Sequence, residues 1–251
     1  MNNTKKFSGK AENYSAARPA YANTFIDMLY TKQGFSEQSE IADIGCGTGI
    51  FARQLLERGS KVFGVEPNED MRLSAVKNLA EFKNFCAVNG TAENTTLADS
   101  SVDFVTSAQA FHWFDGAAYK AECKRILRAG GKVFLIWNMR DMAAAINRLC
   151  AEVNSRFCPN FKGFSGGVKK DDERIVEFFS GKFSYEEFDN SLFYDREKFV
   201  RRCLSSSYAL TEKDERYSDY LQELYSLFDE NCDNGVLTIP NKTVVYYGDI
   251  Q

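Results

Sequence analysis

A chain of 251 residues with 44% hydrophobic and 26% charged residues can bury a sizeable core and has an ordinary globular composition. Its formal net charge of -4 lacks the basic surplus through which phosphate contacts carry nucleic-acid affinity, so nucleic acid is not an expected partner. Met1 to Lys10 contains no apolar signal core and no apolar run is long enough to cross a bilayer, so a cytoplasmic protein with no membrane partner is expected. Seven cysteines, an odd number with no C-x-x-C pair, read as reduced thiols, and no metal site is expected.

In chain order, Pro19 to Gly34 reads as an amphipathic helix with Tyr21, Phe25, Met28 and Leu29 on one face. Glu40 to Ile44 is a short strand that ends in glycines. Thr48 to Arg58 has helical spacing of Phe51, Leu55 and Leu56. Lys61 to Glu66 is a second strand, stopped by Pro67. Asn68 suits the N-cap of a helix that carries Met71, Ala75, Val76 and Leu79. Asn84 to Val88 and Val102 to Ser107 read as strands three and four. A helix over about Gly116 to Leu127 is punctuated by Gly130-Gly131, and Lys132 to Trp137 is a fifth strand. This alternation predicts a parallel sheet with helices on both faces.

Beyond it, Met142 to Cys158 reads as a helix and Pro159 to Lys170 as a mobile loop or lid. Further helices are expected over 171–180, 195–206 and 212–231, the last opened by the capping pattern Thr211-x-x-Asp214 and striped with Tyr217, Leu221, Leu224 and Phe228. Lys182 to Phe193 and Thr243 to Gly248 would close the sheet as an antiparallel pair. The expectation is an α/β fold with a Rossmann-like, seven-stranded, mostly parallel sheet. It forms one domain over 1–251, with a core over about 36–140, a largely helical cap from 1–35 and about 141–235, and closing strands at about 182–193 and 243–248.

Between the first strand and the following helix lies Gly45-Cys46-Gly47-Thr48-Gly49. Glycines there allow a sharp turn and close approach of a ligand to the backbone. The dinucleotide fingerprint G-x-G-x-x-G would need glycine where Ile50 stands. The spacing G-x-G-x-G, preceded by Asp43 and followed about 20 residues on by the strand-terminal Glu66, suits a nucleoside ligand without phosphates, with Glu66 accepting hydrogen bonds from both ribose hydroxyls.

Asp43-Ile44-Gly45-Cys46-Gly47-Thr48-Gly49, Gly64-Val65-Glu66-Pro67, Gly90-Thr91-Ala92-Glu93 and Ser101-Val102-Asp103-Phe104-Val105 together resemble the successive motifs of class I S-adenosylmethionine-dependent methyltransferases. Ala108-Gln109-Ala110-Phe111-His112-Trp113-Phe114-Asp115 and Tyr14-x-x-x-Arg18-Pro19-x-Tyr21 are similar to signatures of the trans-aconitate methyltransferase-like, small-molecule branch of the type 11 methyltransferases. The resemblance implies S-adenosylmethionine as cofactor and S-adenosylhomocysteine as product. It implies a cofactor site of Asp43, Gly45, Cys46, Gly47, Gly49, Glu66, Pro67, Asn68, Met71, Ala92, Glu93, Gln109 and Ala110. Within that set Gly45 and Gly47 lie against the methionine part, Glu66 holds the ribose diol, Asn68 and Met71 flank the adenosine, Ala92 and Glu93 border the adenine, and Gln109 and Ala110 lie beside the transferable methyl.

Because the cofactor would carry the hard chemistry, the protein mainly has to align a nucleophile with the methyl and exclude water. His112, the only histidine in the chain, could act as a base or simply pack beside the pocket. Arg140 could pair with a substrate carboxylate or form a surface ion pair. Tyr14, Arg18, Trp113, Ser207 and Tyr208 complete the substrate candidates, and the acceptor is read as a small molecule with a slight lean towards a carboxylic acid. A non-catalytic cofactor-binding protein, an NAD-dependent oxidoreductase and a protein or nucleic-acid methyltransferase are the alternatives.

Overall fold

The computed structural model describes residues 19–164 and 172–250. Helix α1 (Asn23–Lys32) buries Phe25, Ile26, Met28 and Leu29. It is followed by β1 (Glu40–Ile44), α2 (Ile50–Leu56), β2 (Lys61–Val65), α3 (Glu69–Asn78), β3 (Phe85–Val88), β4 (Val102–Ala108), a short 3-10 turn (Phe111–Trp113), α4 (Gly116–Ile126) and β5 (Leu127–Arg140). The second half contains α5 (Ala145–Phe157), α6 (Glu173–Phe178), β6 (Ser184–Asp189), β7 (Leu192–Tyr194), α7 (Arg196–Leu204), α8 (Tyr217–Asn231), β8 (Leu237–Ile239) and β9 (Asn241–Gly248).

Seven strands form one sheet in the order β3-β2-β1-β4-β5-β9-β6. Strands β1 to β5 are parallel, and β9 runs antiparallel to both β5 and β6. The inner strands are buried on both faces, which is why Ile41-Ala42 and Val133 to Trp137 are continuous apolar runs rather than alternating ones. On one face, Ile41, Phe104, Phe134 and Ile136 pack against Phe25 and Leu29 of α1 and Phe51 and Leu55 of α2. On the other, Ala42, Ile44, Val105, Leu135 and Trp137 pack against Tyr119, Cys123 and Ile126 of α4 and Ile175 and Phe178 of α6.

The chain order turns at β1. Strands β2 and β3 lie to one side of it and β4 and β5 to the other, so a crevice opens beyond the carboxyl ends of β1 and β4. The segment before α1 is stitched across this end of the sheet. Gln54 accepts from the Tyr21 amide (2.9 Å) and donates to the Tyr21 carbonyl (2.8 Å), while Asn138 Nδ2 donates to the Ala20 carbonyl (3.1 Å). The Ala22 amide donates to Thr243 Oγ1 (2.9 Å).

Helices α5, α7 and α8, with the two-stranded ribbon β7–β8, enclose a third apolar core containing Phe157, Phe199, Tyr220, Leu224, Phe228 and Ile239. Within it Tyr220 donates its hydroxyl proton to Asn154 Oδ1 (2.8 Å), satisfying two buried polar groups at once.

Three sequence expectations are corrected. The stretch 182–193 is not one strand: β6 ends at Asp189, and Leu192–Tyr194 belongs to the separate ribbon with β8. Strand β5 runs through Gly130-Gly131 instead of starting at Lys132, because Val102 pairs with Leu127 and Phe104 with Lys132, and the extra residues are absorbed in an irregularity between them. The Thr211–Asp214 pair forms as expected, with Thr211 donating from its amide (2.7 Å) and its hydroxyl (2.9 Å) to Asp214, but it closes a turn and α8 begins only at Tyr217. Of the expected lid over 159–170, residues 165–170 lie outside the described residues.

Candidate functional site

The loop after β1 turns on three residues in the left-handed region: Gly45 (φ +70°), Gly47 (φ +56°) and Gly49 (φ +85°). Each is constrained differently. A Cβ on Gly45 would stand 2.7 Å from Ala110 Cβ and 3.3 Å from the Phe114 ring, so the loops after β1 and β4 touch there. A Cβ on Gly49 would meet Leu79 at 2.6 Å, so this glycine lets α2 pack against the end of α3. At Gly47 a Cβ would meet nothing within 4 Å. Gly47 therefore faces open space at the crevice, the position at which a ligand can lie directly on the backbone.

Two buried carboxylates converge on this loop. Asp43 Oδ1 accepts from Thr106 Oγ1 (2.9 Å) across the β1–β4 pair, while Oδ2 is buried with no partner among the described residues. Burial pushes the Asp43 carboxyl up to about 7; the Thr106 hydrogen bond opposes this and the charge of Glu66 adds to it. Glu66 is 9% exposed at the end of β2. Its Oε2 accepts from the Gly47 amide (3.0 Å) and its Oε1 from the Asn68 amide (2.9 Å). Burial raises its carboxyl too, against the lowering effect of those two amides and of Arg72. Each Glu66 oxygen keeps a further lone pair for an incoming hydroxyl.

Asp43 makes folding stability depend on pH. The folded chain holds the Asp43 proton up to about 7, whereas an unfolded aspartate releases it near 3.8. The unfolded state therefore binds fewer protons between these values, and this group's contribution to stability falls as pH rises from about 4 to 7. Asp43→Asn is expected to remove that fall. Urea denaturation at pH 5 and pH 8 should show a smaller loss in the variant than in the parent; an equal loss in both contradicts the assignment.

Beyond Glu66 the wall of the crevice is built on α3 and the loop after β3. Asn68 Oδ1 caps α3 by accepting from the Met71 amide (3.0 Å), and Met71 is buried beneath it. Pro67 is half-buried between Glu66 and this cap, and Cys46, also half-buried, has its sulfur against Gly64, where a Cβ would approach it to 2.9 Å. Ala92 is buried, while Glu93 is exposed and accepts from the Asp115 amide (3.1 Å), closing the loop onto the start of α4. The same loop is held from below by Glu122, which accepts from the Thr95 amide (2.7 Å) and hydroxyl (2.6 Å); its Arg125 partner keeps the Glu122 carboxyl down at about 2.

At the end of β4, Gln109 adopts φ +58°, a costly conformation for a non-glycine residue that is enforced from both ends. Its amide donates to the Ile136 carbonyl (2.8 Å) and its Nε2 to the Asn138 carbonyl (3.0 Å). Ala110 is buried against Gly45. The turn Phe111–Trp113 then places Phe111 inside, His112 half-buried and Trp113 38% exposed, with the His112 and Trp113 rings 4.9 Å apart.

Two residues beyond Asn138, Arg140 is the last residue of β5, and its side chain reaches the cap. Its guanidinium lies 4.3 Å from the Phe164 ring centroid and donates to Asn147 Oδ1 at 3.4 Å. Among the described residues it makes no ion pair, so the surface salt bridge considered for it does not form. Tyr208 is half-buried nearby, and burial raises its hydroxyl against the lowering influence of Ser206, Arg140 and Arg202. Ser207 is exposed, and Ser206 is the buried member of the serine run. Tyr14 and Arg18 lie outside the described residues.

Arg202 and Tyr194, which the sequence reading did not single out, lie within electrostatic reach of one another near Arg140. The available signal was the spacing Phe199-x-x-Arg202-Cys203, which puts this arginine beside the buried face of α7. Among the described residues no group of three or more His, Cys, Asp or Glu is arranged to hold a metal, and no helix is long and apolar enough to cross a membrane.

Residues 42–135, which carry all the glycine-loop geometry, match a family model described as a methyltransferase domain. The chain is 38% identical over 143 residues to an uncharacterized methyltransferase of Mycobacterium tuberculosis, a match that covers 57% of this chain and 56% of that one. It is 32% identical over 148 residues to an uncharacterized methyltransferase of Geobacillus thermodenitrificans, covering 55% of this chain and 68% of that protein. The chain thus spans about half the length of the first of these curated relatives. In fold it superposes on a proposed type II methyltransferase of Anaeromyxobacter dehalogenans with a TM-score of 0.71 at 19% identity, over 93% of this chain and 98% of that one. The sheet order, the glycine turn with its two acids and these matches agree: the chain belongs to the class I S-adenosylmethionine-dependent methyltransferases.

Proposed function

We propose that this protein transfers the methyl group of S-adenosylmethionine to a small, acidic molecule. One observation carries the choice of cofactor: Glu66, within electrostatic reach of the buried Asp43, accepts from the Gly47 amide where the missing side chain of Gly47 leaves open space. A pyrophosphate would find the Gly47 amide already donating to Glu66 and would face that acid instead of a free donor. A ligand with an ammonium, a sulfonium and ribose hydroxyls suits both acids. This disfavours the dinucleotide alternative on electrostatic grounds.

In this reading Gly45, Cys46, Gly47 and Gly49 shape the floor, Asp43 faces the methionine end, and Glu66 takes the ribose hydroxyls. Pro67, Asn68, Met71, Ala92 and Glu93 frame the adenosine, while Gln109 and Ala110 border the reacting methyl. The bound cofactor supplies an electrophilic methyl, so the chain's task is to hold the acceptor in line and keep water out. Arg140 anchors an acidic group of the acceptor, with Trp113 and Tyr208 along the way. His112 takes a proton where the nucleophile arrives protonated.

The test is transfer of labelled methyl from the cofactor to a panel of small carboxylic acids and their neutral amides, with the products identified by mass spectrometry. Label on acids in preference to amides is expected. Equal transfer to both would remove the acidic acceptor, and no transfer to any metabolite would favour a non-catalytic binding role.

A further inference from the structure

Glu66 is asked to accept more than a neutral carboxyl can. Its two oxygens already receive the Gly47 amide (3.0 Å) and the Asn68 amide (2.9 Å), and the ribose hydroxyls would come in addition. An ionised carboxylate has lone pairs for all of them, whereas a protonated one turns an oxygen into a donor. Burial works against the ionised form. The titratable groups that face Glu66 from β1 and the glycine loop, Asp43 and Cys46, bring no positive charge. Glu69 and Asp70 of α3 and Glu93 of the loop after β3 are exposed.

The positive side chain that acts on Glu66 is Arg72. It stands at the end of the first turn of α3 and turns back onto the end of β2. Its Nη1 donates to the Glu66 carbonyl (2.9 Å) and reaches the Pro67 carbonyl and Asn89 Oδ1 at 3.4 Å each. Asn89 follows β3, so one guanidinium joins the ends of the two strands beside the crevice. The partners of Arg72 are carbonyls and a carboxamide, all uncharged, and among the described residues it makes no ion pair. Its charge is therefore not cancelled by a bound acid, and it sits on the same residue whose carboxylate reaches Gly47.

We propose that Arg72 is a positioning residue for the cofactor: it fixes the strand end from which Glu66 reaches Gly47 and keeps a positive charge beside that carboxylate, so that Glu66 can take the ribose hydroxyls. The role rests on the methyl-transfer reading, because it needs a ribose at Glu66.

The experiment titrates S-adenosylhomocysteine into the full chain by calorimetry from pH 5 to pH 9, for the parent, Arg72→Met and Arg72→Lys, with thermal unfolding measured alongside. Methionine keeps the stem of the side chain and loses its charge and donors; lysine keeps the charge and one donor group. At pH 8 the parent and Arg72→Met should differ by less than about tenfold in affinity. On acidification the gap should widen, because without the cation Glu66 takes up its proton at a higher pH. Arg72→Lys should restore the parent profile. Asp43 also titrates in this range, but it does so in all three chains, so the difference between profiles reports Glu66. If Arg72→Met does not fold, Arg72→Gln, which keeps a donor without the charge, takes its place. A loss that is the same at every pH, no loss at all, or a lysine variant that follows the methionine one would overturn the proposal. Absence of S-adenosylhomocysteine binding by the parent at every pH would instead overturn the cofactor reading on which the role rests.

Discussion

Gly47→Leu is expected to abolish cofactor binding while the protein still folds. The backbone at φ +56° lies in the small left-handed region that other residues tolerate at about 1–2 kcal/mol, and the new side chain meets no protein atom within 4 Å of its Cβ. The expected fall in melting temperature is therefore a few degrees. The new side chain would instead occupy the space above the loop, where the cofactor is proposed to lie. Affinity for S-adenosylhomocysteine should drop by about a hundredfold or more, a loss of about 2.8 kcal/mol. Gly45→Leu gives the opposite pattern, because its Cβ would already press into Ala110 at 2.7 Å and cannot be relieved without parting the loops after β1 and β4. Calorimetric titration and thermal denaturation of both variants separate the cases. Unchanged binding by Gly47→Leu would place the ligand elsewhere.

Glu66→Gln is the second large effect. The glutamate accepts from the Gly47 and Asn68 amides and is proposed to accept from the ribose as well. Glutamine retains the shape but turns one acceptor into a donor facing an amide, and it removes the charge. Hydrogen bonds to a charged group contribute about 1.5–3 kcal/mol, so cofactor affinity should fall by about tenfold to a hundredfold, with some loss of stability from the unpaired amide. The ribose role has its own signature. An S-adenosylhomocysteine analogue lacking one ribose hydroxyl should bind the parent chain more weakly, and the variant should barely distinguish the two ligands. Equal discrimination in both chains would restrict Glu66 to supporting the loop.

The parallel half of the fold was legible because its signals are local. A strand ending in glycines, an acid at the end of the next strand and an Asn cap each follow from a few residues, and β1 through α3 form where that spacing puts them. The ends of elements were less legible. The ribbon β7–β8 has three residues on each side, too short for a two-residue period to show, and only Asn190 and Ser191 separate it from β6. Strand β5 passes through two glycines because pairing with β4 outweighs their weak strand preference. In the cap, Arg140 was visible as an arginine just past a strand. Arg202 was hidden in Arg196-Glu197-Lys198-Phe199-Val200-Arg201-Arg202, which reads as a solvated helix face. Its half-buried position depends on the packing of α7 against α8 and the ribbon, and the spacing from Phe199 to Cys203 is its one local sign. The serine run shows the same limit: turn geometry after α7 buries Ser206 and exposes Ser207, one residue away from expectation.

The central claim is that the turn Gly45–Gly49, flanked by Asp43 and Glu66, holds S-adenosylmethionine and not a dinucleotide. Its most direct test is calorimetric titration of the full chain with S-adenosylhomocysteine and, separately, with NAD. The account predicts saturable binding of one S-adenosylhomocysteine per chain and no measurable binding of NAD. Saturable binding of NAD without binding of S-adenosylhomocysteine would contradict it.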